Sequence, residues 1–394
     1  MNKVHEAYLD NSSTTRVYSD VFQEMKRVMD QEYGNPSSLH RRGTSAERIF
    51  IAAQEELAEL LGVKAKSLIF TSGGTESNNL AVLGIARRNR RHGNHLVTTA
   101  VEHPSVLAPF KRLETEGFEV TYIKPNALGI VDPNAVEQAV TTQTVLTSIM
   151  HVNNETGAVM PIERLARVVK ARNPKTIFHV DAIQSFTKMP LAPVQQGIDA
   201  LSLSAHKFHG PKGVGALYLR EGILVEPLFG GGGQQQEIRP GTENNPGIAG
   251  MALAARISME HLKTGKNLLK SYREKMIAIL KSEHPDLRIN GPDIDNAAPH
   301  ILNVSFPGIK GEIMLHALEE HHIFVSTGSA CHARIKEASH VLQAMGLSPE
   351  TIESAVRISF SWMNTEKEVI YAAEKMIETV NDFKAFMQRS PGRG

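Results

Sequence analysis

Four short stretches carry residue types that could do chemistry. Residues 201–219 read LSLSAHKFHGPKGVGALYL. A strand-like run ends at Ser204, and Lys207 follows in a turn with His206 and His209 on either side, then Gly210, Pro211, Gly213 and Gly215. A lysine at the carboxyl end of a parallel strand lies where open α/β sheets bind ligands. The glycines admit close backbone approach, and Ser204 and His206 can reach a phosphate. Most loop lysines are simply solvated, so the segment gains weight only in combination. FTSGGTESNNLAVLGIARR reads strand, Gly-Gly turn, helix. Gly74, Thr75 and the first-turn N–H groups form an anion site aided by the helix dipole, although many such turns bind nothing. FHVDAIQS ends an apolar strand with Asp181, a carboxylate expensive to bury unpaired. It suits either a helix N-cap or the partner of a protonated ring nitrogen. STGSACHARI holds Cys331, the only cysteine of 394 residues, after Gly328, Ser329 and Ala330. It has no disulfide partner within the chain, which leaves a packed side chain, a ligand or a reactive thiol.

A phosphate cradle, a strand-end aspartate and a turn lysine together describe a pyridoxal-phosphate site, and the combination is far stronger than any part. The elements around them agree. From about residue 66 to 220, SLIF, HLVTTA, FEVTYI, TVLTSIMHV, TIFHVD and ALSLS read as strands. Helix-like segments such as SVLAPFKRLETEG and PIERLARVVKARN lie between them. Several strands are apolar nearly throughout, the pattern of strands covered on both faces, so a largely parallel, doubly wound sheet is expected. After Gly250, GMALAARISMEHLKTGKNLLKSYREKMIAILKSE keeps helical periodicity over one long span. HILNVSFPG, EIMLHALEEHH, IFVSTG and AVRISFSWMN then predict a small α+β domain closed by EKEVIYAAEKMIETVNDFKAFMQ.

Composition bounds the rest. Hydrophobic residues make up 41% and charged residues 22%, and 43 basic against 42 acidic residues leave a formal net charge of +1. That balance argues against a nucleic-acid or membrane-surface binder. No apolar run approaches the ~18–20 residues of a membrane span, and the start has no signal-like apolar core. With one cysteine, this predicts a cytoplasmic protein.

The chain resembles the cysteine desulfurases of the class V aminotransferase group (pyridoxal-phosphate fold type I), in the branch of the NifS and IscS enzymes. The motifs are YLDNSSTT, YGNPSSLH, FTSGGTESNNLA, EHPSV, MHVNNETGAVMPI, HVDAIQS, SAHKFHGPKGVGALY, GGGQQQEIRPGTENNPGIAGM, STGSACHARIKEASHVLQAMG and AVRISFSW. They run in order along nearly the whole length. The resemblance implies a large cofactor-binding domain over residues 15–255 and a small domain from 1–14 and 256–394. It assigns Lys207 as the lysine that links covalently to the cofactor and Asp181 as partner of its ring nitrogen. Gln184 would bond the ring hydroxyl, and His103 would stack on the ring and serve in proton transfer. Gly74, Thr75, Ser204 and His206 would hold the phosphate, joined by Thr242 from the partner subunit of a homodimer. Asn154, Arg357 and Asn35 would bind L-cysteine, with Asn154 also near the cofactor and Arg357 forking onto the α-carboxylate. Cys331 would attack the substrate sulfur as a thiolate, leaving a persulfide on the protein and L-alanine as product. The sulfur would pass to an acceptor protein, an iron–sulfur scaffold or a tRNA- or cofactor-thiolating enzyme.

The loop after Cys331 has the longer form of this branch, which implies direct delivery to several acceptors. Two departures stand out. Gly74 occupies a place where many relatives have alanine, a change expected to be harmless, and HARIKEA replaces a Ser/Thr-rich run. His332 either helps ionise the thiol or faces solvent. Arg87, Arg88, Arg90 and Arg91 read as a solvated helix end, with no direct nucleic-acid contact expected. No resident metal is expected, although Cys331 can serve as a transient iron–sulfur ligand in this family. Two rival readings remain. A selenocysteine lyase or other pyridoxal-phosphate lyase or aminotransferase would keep Lys207, Asp181 and Arg357 without depending on Cys331. An inactive sulfur-transfer scaffold would have lost the cofactor.

Overall fold

A computed structural model describes residues 6–265, 267–327 and 338–389. Thirteen strands run through it in chain order. They are β1 (Ala7–Tyr8), β2 (Leu68–Thr71), β3 (His95–Thr99), β4 (Glu119–Ile123), β5 (Thr144–Met150), β6 (Ile177–Asp181) and β7 (Ala200–Ser204). Then come β8 (Gly215–Leu219), β9 (Arg288–Ile289), β10 (Ile301–Ser305), β11 (Ile323–Phe324), β12 (Ser326–Thr327) and β13 (Ala355–Ser359). Seven form one sheet in the order β2-β8-β7-β6-β5-β3-β4. From β7 to β4 every pairing is parallel, and β8 is antiparallel to both of its neighbours. The class V fold predicted from the chain is this α/β arrangement with a mostly parallel sheet.

Strands β3, β5, β6, β7 and β8 are buried at every position. Both faces of the sheet are covered, so apolar residues fall on both faces of these strands. Neighbouring residues still point to opposite faces. Phe70 and Val97 join the core that includes Leu57 and Leu165, whereas Ile69 and Leu96 join the core that includes Ile85 and Phe110. Several polar side chains inside or beside the sheet are firmly partnered. Nδ1 of His179 meets Ser148 Oγ at 2.8 Å and its Nε2 meets Ser202 Oγ at 2.9 Å, so one imidazole ties β5, β6 and β7 together. Asp199 accepts from Lys170, from Arg220 and from the Phe178 N–H.

A four-stranded sheet in the order β12-β13-β10-β9 carries a separate apolar cluster with helices Leu268–Glu283 and Glu366–Arg389. The expected long helix after Gly250 is two helices, Asn245–Thr264 and Leu268–Glu283. The break falls at Gly265, the C-cap residue of the first, so the glycine outweighs the periodicity around it.

The segment from Leu9 to Arg16 stitches the two sheets. Asp10 bridges to Ser359, and the Ser12 N–H donates to Ser359 Oγ at 2.8 Å. A few residues on, both the N–H and the hydroxyl of Thr15 donate to the carbonyl of His206 at 2.9 Å.

Candidate active site

A cavity of about 260 Å³ opens at the carboxyl ends of the parallel strands. Met150, Asp181 and Ser204 close β5, β6 and β7 on its floor, and Gly74, Thr75 and His103 come from the turns after β2 and β3. Gln184, His206, Lys207, Asn154 and Arg357 add to the lining, as do Ser12, Ser13, Ser105, Val152 and Ile183. Seven separate segments need not converge for any packing reason; here residues from positions 12 to 357 do.

Lys207 lies in a single 3-10 turn, Ala205–Lys207, directly after β7. Its Nζ donates to the carbonyls of Ser12 at 2.6 Å and Ser13 at 2.7 Å. Asp181 is buried, and burial pushes its carboxyl upward. The Ile183 N–H on Oδ1 (3.0 Å), the Asn78 amide on Oδ2 (2.8 Å) and the Lys207 charge oppose that rise. No helix follows β6, so Asp181 is not the helix N-cap that the sequence offered as an alternative; its bond to the Ile183 N–H closes a turn, and a carboxylate oxygen retains a lone pair for a further donor.

His103 caps helix Pro104–Thr115: its Nδ1 accepts from the Ser105 N–H at 3.1 Å. Burial, then the charges of Lys207 and His340, push it down to about 4, so the ring is neutral near pH 7. His206 is pushed down to about 3, chiefly by burial and by Lys207. Arg357 sits on β13 between β12 and β10. Its guanidinium pairs with Asp10 at 2.9 Å and donates to Ser13 Oγ at 2.6 Å and to the Asn154 carbonyl at 3.0 Å.

Four buried polar atoms on lining residues have no protein partner: Ser12 Oγ, Gln184 Oε1, Ser204 Oγ and Arg357 Nε. Buried polar atoms are ordinarily paired, so the cavity is built for a polar occupant. Ser204 Oγ near the Gly73–Gly74 turn suits a phosphate, Asp181 suits a ring nitrogen, and Lys207 suits an aldehyde carbon, so the residues fit pyridoxal phosphate. Gln184 is already committed through Nε2 to the Ser12 carbonyl at 2.9 Å, which leaves Oε1 to accept from a ring hydroxyl.

The phosphate turn is tightly built. Gly73 has φ 150°, a region open chiefly to glycine, and an added Cβ on Gly215 would lie 2.6 Å from the Gly73 carbonyl carbon. At Gly74 an added Cβ would lie 2.2 Å from Ile183 Cδ1. In this chain Ile183 fills the space that an alanine methyl would need.

Asn35 and Thr242 are both exposed and do not line the cavity. Asn35 Oδ1 accepts from the Ser37 N–H at 2.9 Å. The loop leading to Thr242 is fastened to the phosphate turn: Gln235 pairs with the backbone of Phe70, and Arg239 pairs with Glu76 at 2.9 Å. Cys331 and His332 lie outside the described residues. Asp10, Ser12, Ser13, Asn78, Ser105 and Ile183 were not singled out from the sequence. Asp10, Ser12 and Ser13 sit inside the quoted YLDNSSTT motif, but only the fold brings them to Lys207 and Arg357. Among the arginines after residue 86, Arg87 pairs with Glu116 at 2.6 Å and Arg90 covers the Phe118 ring. No group of acidic, histidine or cysteine residues among the described ones could hold a metal, and no helix among them is long and apolar enough to cross a membrane.

A fold of this topology with a lysine, an aspartate and a glycine turn at the sheet's carboxyl edge defines a pyridoxal-phosphate enzyme, and the aminotransferase class-V profile matches residues 7–371. The chain belongs to that family. It is 38% identical over 375 residues to the cysteine desulfurase IscS of Clostridium botulinum, covering 95% of this chain and 94% of that one. A solved NifS-like protein superposes with a TM-score of 0.91 at 38% identity, covering 96% of this chain and 100% of the other. The structure of SspA in complex with cysteine superposes with a TM-score of 0.78 at 36% identity, covering 90% and 98%.

Proposed function

We infer that this protein is a pyridoxal-phosphate-dependent cysteine desulfurase that converts L-cysteine to L-alanine and takes the sulfur onto Cys331. The observation that carries the reading is the single cavity in which Lys207, Asp181, His103, the Gly74 turn and Arg357 meet, with Ser204 Oγ and Arg357 Nε unpartnered. Desulfurase relatives along nearly the full length support the substrate.

Bound there, the cofactor supplies an electron sink that weakens the substrate's Cβ–S bond. The chain's own groups do the rest. Asp181 keeps a proton on the ring nitrogen, Gly74, Thr75, Ser204 and His206 hold the phosphate, and Gln184 takes the ring hydroxyl. Arg357, preset by Asp10 and Ser13, receives the α-carboxylate beside Asn154. Lys207 Nζ carries the proton that moves at the reacting carbon. The Cys331 thiolate attacks the substrate sulfur: an S–S bond forms, the Cβ–S bond breaks, and its electron pair ends with a proton on the carbon of alanine. L-Cysteine and the enzyme thiol thus become L-alanine and an enzyme persulfide, with no outside oxidant. Thr242 reaches the phosphate of the partner subunit in a homodimer, and Asn35 joins the substrate site. The persulfide passes to an acceptor protein for iron–sulfur assembly or thiolation. One cysteine in 394 residues supports a cytoplasmic setting.

The test is alanine formation from L-cysteine beside a persulfide assay, for the wild type and Cys331→Ala. Both products should form in the wild type and vanish in the variant. Undiminished alanine and free sulfide from Cys331→Ala would transfer the reading to a lyase.

A further inference from the structure

Two residues that line the cavity, Asp181 and His103, are joined by a chain of hydrogen bonds through Asn78, which lies behind the wall, and Ser105, which also lines the cavity. Asn78 is fully buried in the first turns of the helix after Gly73. Its Nδ2 donates to Asp181 Oδ2 at 2.8 Å and to Ser105 Oγ at 2.9 Å. An amide nitrogen has two hydrogens, one for each. The amide orientation is forced, because the flipped form would set Oδ1 against a carboxylate. Asn78 Oδ1 is left buried without a partner, a cost of the kind that buried networks tolerate at functional sites.

Ser105 Oγ, accepting from Asn78, has one hydrogen to give, and His103 Nδ1 lies 2.8 Å away. The Ser105 N–H points at the same nitrogen from 3.1 Å. With two donors aimed at it, Nδ1 is a lone pair and the imidazole proton resides on Nε2. A proton added at Nδ1 would face both donors. Burial and the Lys207 charge act in the same direction on this ring.

We propose that Asn78 and Ser105 are positioning residues that couple Asp181 to His103, holding the carboxylate aimed and ionised and the imidazole in its Nε2–H tautomer. His103 then stacks on the ring and donates from Nε2, and it has no free lone pair with which to act as a base in the resting site. Proton abstraction falls to Lys207. This refinement rests on the pyridoxal-phosphate reading of the cavity.

The test uses Asn78→Leu, Ser105→Ala, the double variant and Ser105→Thr. Each apoprotein is titrated with pyridoxal phosphate, and the visible circular dichroism per bound cofactor is recorded for each holoprotein. Asn78→Leu should weaken cofactor binding about tenfold, the loss expected for one hydrogen bond to a buried carboxylate. Ser105→Ala should weaken it by less and change the dichroism, and Ser105→Thr should restore both. The decisive result is coupling: if the bridge is one unit, Ser105→Ala adds nothing in the Asn78→Leu background. Additive losses, or variants that bind and orient the cofactor as the wild type does, overturn the bridge. Failure of the wild type to bind the cofactor would instead overturn the family-level reading. A variant that merely destabilises the fold shifts its melting temperature but leaves the dichroism of each bound cofactor unchanged, which also counts against the proposal.

Discussion

Replacing Gly74 with alanine should weaken cofactor binding, and trimming Ile183 should rescue it. The Cβ of an alanine would lie 2.2 Å from Ile183 Cδ1, 3.1 Å from Ile183 Cγ1 and 3.3 Å from Ser204 Cβ. Carbon atoms in ordinary contact stand ~3.5–4.0 Å apart. The nearest obstacle is the tip of a side chain that itself lines the cavity, so either that tip turns aside or the helix start shifts outward. Overpacking of this kind costs ~1–3 kcal/mol. Either movement alters the wall against which the cofactor lies, so the same energy is felt in affinity, a factor of roughly 5 to 150. Titrating the apoproteins of Gly74→Ala, Ile183→Ala and the double variant with pyridoxal phosphate measures it. The double variant should bind within about threefold of Ile183→Ala, because nothing then occupies the methyl's place. If Gly74→Ala binds as well as the wild type, or if the double variant loses as much as Gly74→Ala does, the contact with Ile183 does not govern the turn and the reasoning is refuted.

Three further outcomes follow from the same geometry. Arg357→Ala should lower kcat/KM for L-cysteine by about 100-fold or more while the protein still binds cofactor, given ~1.5–3 kcal/mol for each charge-assisted bond of a fork; Arg357→Lys should rescue little. Lys207→Ala should release its cofactor on gel filtration, with no visible band left on the protein, and retention of that band would remove Lys207 from its role. His179 is held far below its ordinary value, at about 3, by burial alone. Its unfolded form therefore takes up a proton first as pH falls through ~6.5, so its contribution to stability is complete above that value and is lost downward. The urea stability gap between the wild type and His179→Gln should narrow by about 2 kcal/mol from pH 6.5 to 5, and parallel pH slopes would contradict the assignment.

Much of the site was readable because its residues sit inside local patterns. Lys207, Asp181 and the Gly74 turn each lie at or just after the end of a strand-like run, so their place at the sheet's carboxyl edge follows from the βα order. The residues that were overlooked act across the sequence. Ser12 and Ser13 hold Lys207 through main-chain carbonyls, which leave no trace in side-chain identity. Asp10 meets Arg357 only because the N-terminal segment runs along β13. The tight fit between Gly74 and Ile183 pairs two positions more than a hundred residues apart, and no periodicity encodes such a contact. The helix break at Gly265 was missed for the opposite reason, since the periodicity on both sides is good and one residue decides.

The stitch between Leu9 and Arg16 has a bearing on how the protein is made. The residues that hold Lys207 and Arg357 leave the ribosome well before Ser359, which receives Asp10 and Ser12. Contacts between chain ends form late because loop closure opposes them until the intervening sheets exist. The bridge from Asp10 and Ser12 to Ser359 therefore forms only once β13 has been made. Until β13 is in place Arg357 cannot meet Asp10 and Ser13, so the Arg357 side of the cavity is the last part of it to be assembled.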